Sequence, residues 1–155
     1  MIQNLTHRKA IINDLEMIIK LLLEEDELNK QQKQKLAKLS QTHIDAFYKI
    51  DSDPNQYLMI IENGNEIVGT CHLTIMPSLT FTGSTRMQIE AVRVSEKHRG
   101  KKIGEWMIKA AILYGQSKGA LIIQLTTNKK RIKAKKFYEH LGFEASHEGM
   151  KLYLQ

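Results

Sequence analysis

One cysteine in 155 residues excludes a disulfide within the chain and a cysteine-rich zinc site. Two prolines and nine glycines exclude a collagen-like or linker-rich chain. Aromatic residues make up 6% and are not interleaved with the basic residues, which argues against a nucleic-acid-binding module. Long apolar runs are also missing. The longest in the first fifty residues, Ile18 to Leu23, is broken by Lys20 and is too short to span a membrane. The N-terminus lacks the ordered pattern of a secretory signal, so the cytoplasm is the expected compartment. His7, His43, His98, His140 and His147 show no metal-ligand spacing, and no metal is expected. What remains, 42% apolar and 26% charged residues, suits one soluble globular domain over residues 1–155.

Charge is unevenly placed. Residues 1–85 hold 8 basic and 11 acidic side chains, whereas residues 86–155 hold 15 and 6. A basic half suits either a phosphate-bearing partner or a solvated surface, and composition does not choose between them.

The pattern of apolar residues predicts a strand over 5–9 and a helix over about 14–24, capped by Asn13-Asp14. A second helix is expected over roughly 31–50, on the period of Leu36, Leu39, His43 and Phe47. Two strands joined at Asn63-Gly64 read as a hairpin, because both residues tolerate positive φ. A strand over 86–94 follows, then a helix with Ile103, Met107, Ala111 and Tyr114 on one face. A strand over 121–126, a helix over 130–141 and a last strand over 149–154 complete the order. The expected fold is mixed α/β, a mostly antiparallel twisted sheet flanked by helices in the order β-α-α-β-β-β-α-β-α-β.

The segment from Ile89 to Met107 carries the most chemistry. A strand enters a basic loop with Gly100 and Gly104, and the loop opens into a helix. First-turn amides of a helix are unpaired and carry partial positive charge, so they bind phosphate oxygens. Arg99, Lys101 and Lys102 add charge. The spacing matches neither a P-loop nor the dinucleotide glycine fingerprint.

Arg99-Gly100-Lys101-Lys102-Ile103-Gly104 resembles the Gln/Arg-x-x-Gly-x-Gly/Ala signature of the GNAT superfamily of N-acetyltransferases, with Lys102 in place of the middle glycine. Ala134-x-x-Phe137-Tyr138-x-x-Leu141-Gly142-Phe143 is similar to the family's late helix, and the element order fits across nearly the whole chain. The resemblance implies acetyl-CoA as cosubstrate and a primary amine as acceptor. Its diphosphate would sit on Arg99, Gly100, Lys101, Lys102, Ile103 and Gly104. Its pantetheine arm would run along the backbone of Val92, Arg93 and Val94. Arg131 stands where relatives often carry an asparagine contacting the cofactor, and Asn128 is the nearest asparagine. By the same resemblance Glu90, nine residues before Arg99, would be the base, and Tyr138 would protonate the leaving thiolate. A homodimer through sheet edges is compatible with it.

Each residue also has a structural reading. Glu90 could pair with Arg86 or Arg93, and Tyr138 could simply pack beside Phe137. The lysines and Arg131 between 129 and 136 read mainly as a solvated face, with one or two near a cofactor phosphate. Cys71 and His72 are adjacent on a strand, point to opposite faces and make a poor nucleophile–base pair. Strand alternation puts Glu90 on the face of Val92 and Val94 unless a bulge intervenes. For the acceptor, residues 14–50 and 76–86 would form the pocket. There Glu24 to Glu27 could attract a cation, and Arg86 could hold a carboxylate or phosphonate. A catalytically silent acyl-CoA-binding regulator of the same fold is the alternative function.

Overall fold

The computed structural model describes residues 4–24 and 29–154. Five strands form one sheet in the order β1 (Leu5–Lys9), β2 (Gln56–Asn63), β3 (Glu66–Met76), β4 (Thr85–Val94) and β5 (Ala120–Leu125). Neighbours are antiparallel except β4 and β5, which are parallel. The hairpin turn falls at Gly64-Asn65, with Gly64 at φ 62°, one residue beyond the expected position.

Alternation along β2 sends Met59 and Ile61 to one face, and Leu58 and Ile60 to the other. The second face is covered by α1 (Leu15–Leu23) and α3 (Gln41–Ser52), through Leu15, Ile18, Ile19 and Phe47. The first is covered by α5 (Ile103–Ser117), through Ile103, Met107, Ile108 and Ala111, with Phe137 and Tyr138 of α6 (Ile132–His140) packed against them. Between β3 and β4 lies a single turn, α4 (Thr80–Gly83), in which Phe81 and Thr82 take left-handed φ values of 49° and 61°. No helix among the described residues is long and apolar enough to cross a membrane.

Three expectations change. The helix expected over 31–50 is two helices, α2 (Lys30–Leu36) and α3. Ser40 breaks the run, because its Oγ accepts the His43 amide and starts a new helix. Asp14 does not cap α1. Its carboxylate instead accepts two hydrogen bonds from Arg8, at 2.6 and 3.0 Å, and one from the Ile11 amide at 2.8 Å. The strand expected over 149–154 does not form. Met150, Leu152, Tyr153 and Leu154 are exposed and cover no face of this chain, so alternation there has nothing to bury. Of the acidic run from Glu24 to Glu27, residues 25–27 lie outside the described residues.

Candidate active site

The site begins where the sheet splits. Pairing between β4 and β5 runs from Thr85↔Ala120 to Ile89↔Leu125 and stops, while β4 continues to Val94. Glu90 to Val94 therefore have no β5 partner, and a wedge opens between the strands. It contains a cavity of about 60 Å³, lined by residues 89–93, 125–127, Arg131 and Tyr138. Glu90 and Tyr138, expected to act together from separate parts of the sequence, share this wall.

A bulge shapes β4 inside the wedge. Thr70 pairs with Arg93 and His72 with Glu90, so Ala91 and Val92 together oppose Cys71. Ala91 takes φ 50°, the left-handed value that lets the extra residue fit. Simple alternation does not survive it. Val92 and Val94 pack with the α5 core, whereas Glu90 is exposed and pairs with His72 across the sheet. Arg86 donates to the Thr80 hydroxyl. Arg93 donates to the carbonyls of Val92, at 2.9 Å, and Leu22, at 3.5 Å. The Val94 carbonyl accepts from Arg99 Nε at 3.2 Å. The Val92 and Val94 carbonyls each have a second lone pair to offer a ligand.

The basic loop leads from β4 into α5. Gly100 takes φ 76° and Lys102 φ 61°, ψ 13°. The signature position that Lys102 occupies thus demands a left-handed residue, which explains the family's preference for glycine there. No side chain caps α5, so its first-turn amides remain available to an anion. Gly104 faces Phe137 and Val94, where an added Cβ would sit at 3.5 and 3.8 Å, in ordinary contact. Arg99 also stands 3.7 Å from the Glu24 carboxylate.

Arg131 lines the cavity, whereas Asn128 does not. The Asn128 carbonyl accepts from the Arg131 amide at 2.9 Å and its Oδ1 from the Lys130 amide at 2.9 Å, a turn that launches α6. Tyr138 is half-buried, edge-on to Phe137 and Phe143. Lys129 pairs with Glu148 at 2.7 Å and Lys135 with Glu139 at 3.8 Å, so these two lysines belong to the solvated face. Cys71 is fully buried in the α5 core, and that burial pushes its thiol up to about 12. A thiol so rarely ionised is no nucleophile. No group of metal-ligating side chains occurs among the described residues.

Sequence reasoning missed Thr127 and Gln56. The Thr127 hydroxyl is buried at the cavity without a hydrogen-bond partner, an orphan that a bound ligand would satisfy. Only the register of β2 on β3 could have brought Gln56 to His72.

The acetyltransferase (GNAT) family model matches residues 16–143. The chain belongs to this family. Among solved GNAT-like structures, a protein from Bacillus halodurans C-125 described as a transcriptional regulator is 39% identical, with a TM-score of 0.87, over 97% of this chain and all of that one. An aminoalkylphosphonate N-acetyltransferase of Salmonella typhimurium is 32% identical over 69% of each chain. A glucosamine 6-phosphate N-acetyltransferase of Trypanosoma brucei brucei is 35% identical over 56% of each. The chain spans about half the length of the first curated relatives it matches.

Proposed function

We propose that this protein transfers an acetyl group from acetyl-CoA to the primary amine of a small molecule in the cytoplasm, and that this amine also carries a phosphate or phosphonate. The observation that carries the reading is the wedge between β4 and β5, where Glu90 and Tyr138 share one cavity beside the uncapped start of α5. The diphosphate of the cosubstrate lies on residues 99–104, held by amides and by Lys101 and Lys102. The pantetheine follows the free edge of residues 92–94, and Thr127 and Arg131 reach it from the opposite wall. Asn128 holds the turn that sets Arg131.

The acceptor enters as an ammonium. Glu90 removes one proton, directly or through water. The neutral amine attacks the thioester carbonyl, the C–N bond forms and the C–S bond breaks. Tyr138 protonates the departing thiolate and recovers a proton from the attacking nitrogen. Arg86 supports an anionic acceptor. It sits on the Glu90 face of β4, four residues or ~13 Å of strand away. Its Nε is buried without a partner. The curated relatives point the same way, since each is named for an amine bearing a phosphorus oxyanion.

An acetyl-CoA-coupled screen tests this, with glucosamine 6-phosphate, aminoalkylphosphonates, polyamines, aminoglycosides and peptide amines. Thiol release with the phosphorus-bearing amines is expected, with weaker turnover of glucosamine itself. In Glu90→Gln, turnover falls and the pH profile shifts while coenzyme A affinity holds; an unchanged profile removes Glu90 as base. The Bacillus halodurans relative favours a second reading, a regulator that binds acyl-CoA without turnover. Tight acetyl-CoA binding with no transfer to any amine selects it.

A further inference from the structure

The proposed mechanism uses no group on β3, yet His72, opposite Glu90, is tied to Gln56 and Asp53 in an order that fixes their hydrogens. Asp53 is held ionised, its carboxyl kept below the usual range by the Gln56 amide and by the Asn55 N–H. An ionised carboxylate only accepts hydrogen bonds. The Gln56 nitrogen must therefore face it, and the two stand 3.0 Å apart. That choice leaves the Gln56 carbonyl oxygen toward His72 Nε2, at 2.8 Å. An amide oxygen only accepts, so Nε2 carries the hydrogen. In the neutral ring the other nitrogen, Nδ1, is then a bare lone pair. His72 is directly opposite Glu90 in the β3–β4 register. The bulge at Ala91-Val92 follows directly, and the ladder resumes at Thr70↔Arg93.

We infer that His72 is the proton acceptor behind Glu90, with Gln56 and Asp53 as the positioning residues that hold its tautomer. The inference rests on the acetyl-transfer reading and assigns the destination of the first proton. The ammonium gives its proton to Glu90, and a water between the two side chains carries a proton on to Nδ1, so that the ring becomes an imidazolium. The amine is left neutral to attack, and the imidazolium returns the proton to water after turnover. No oxidant or further reactant is needed. Imidazole is the side chain whose ordinary pKa lies nearest neutrality, which suits it to accept a proton during turnover. Burial lowers the His72 pKa from its ordinary value of 6.5, and Glu90, the charged group facing it from β4, opposes that shift. The lowered value keeps the ring neutral at pH 7, with the Nδ1 lone pair unprotonated.

Two measurements test this on the full chain. Nitrogen-15 NMR of histidine-labelled protein at pH 7 reports the tautomer without any substrate. A hydrogen on Nε2 and a bare Nδ1 are expected, and Gln56→Leu should mix the two tautomers. A hydrogen on Nδ1 in the wild type overturns the inference whatever the activity. The second measurement is the pH profile of kcat/KM for His72→Gln, whose amide nitrogen reaches the Nε2 position and preserves the bond to Gln56. A loss of tenfold or more is expected at pH 7, with unchanged coenzyme A affinity. The acid limb should move from the histidine range toward the carboxylate range. In Glu90→Gln the limb should move to lower pH, because the charge that raises the His72 pKa is gone. Wild-type kcat/KM and an unmoved limb in a folded His72→Gln protein refute the role of His72. A wild type that acetylates nothing refutes the proposed function instead.

Discussion

Replacing Lys102 with glycine separates two contributions that the loop combines in one residue. Lys102 occupies φ 61°, ψ 13°, where a side chain crowds the following carbonyl. That conformation costs an L-residue about 1–2 kcal/mol. Glycine removes the cost but adds about 0.4–1 kcal/mol of entropy to the unfolded chain. The net gain is about 0.5–1 kcal/mol, or a rise in Tm of about 1–4 °C for a chain of this size. The same change deletes one exposed positive charge beside the proposed diphosphate site. A single charge pair at about 4 Å in water is worth about 1 kcal/mol, so coenzyme A should bind roughly fivefold more weakly. Lys102→Ala is the control. It loses the charge and keeps the left-handed L-residue, so affinity should fall equally while Tm stays near the wild type. Scanning calorimetry reads the first effect, and titration calorimetry with coenzyme A at low and high salt reads the second. High salt should narrow the affinity gap. If glycine and alanine give the same Tm, the loop does not hold Lys102 in the left-handed region. If neither changes affinity at low salt, the diphosphate binds elsewhere.

Tyr138→Phe keeps the packing on Phe137 and Phe143 and should slow transfer tenfold or more, about 1.4 kcal/mol in the barrier; wild-type rates would leave Tyr138 as packing alone. Gly104→Asp has room for its Cβ, so it should fold and yet weaken coenzyme A by repulsion, and undiminished affinity in a binding titration argues against the α5 site. Asp14→Asn breaks the paired Arg8 contacts of a buried carboxylate. Removing one partner of a buried pair costs about 3–5 kcal/mol, and because Arg8 is 36% exposed the expected loss is about 2–3 kcal/mol in urea unfolding. Arg8 holds the Asp14 carboxyl below its ordinary value of 3.8, so the advantage over the variant is full above that pH and disappears as pH falls below it. A difference that persists undiminished at pH 2 would contradict the ion pair as its source.

The sequence alone determined the basic loop that opens into α5 and the chain order of the five strands that form. Those features rest on local rules, namely apolar period, turn residues and the demand of a helix start for an anion. The family likeness at Arg99–Gly104 and Ala134–Phe143 also lies in short continuous segments, so it was legible without a fold. Helix breaks and strand ends were less so. Ser40 divides a run whose apolar period continues through it, and 149–154 alternates like a strand with no partner to satisfy it. Only the tertiary structure decided which residues meet in the site. The bulge at Ala91-Val92 turned Glu90 away from Val92 and Val94. The early end of β5 opened the wedge that brings Tyr138 and Thr127 to it. The pairing of β2 with β3 put Gln56 against His72. Each depends on the register between distant strands. A one-residue slip there exchanges the two faces of the sheet, so no pattern within a single segment can specify it.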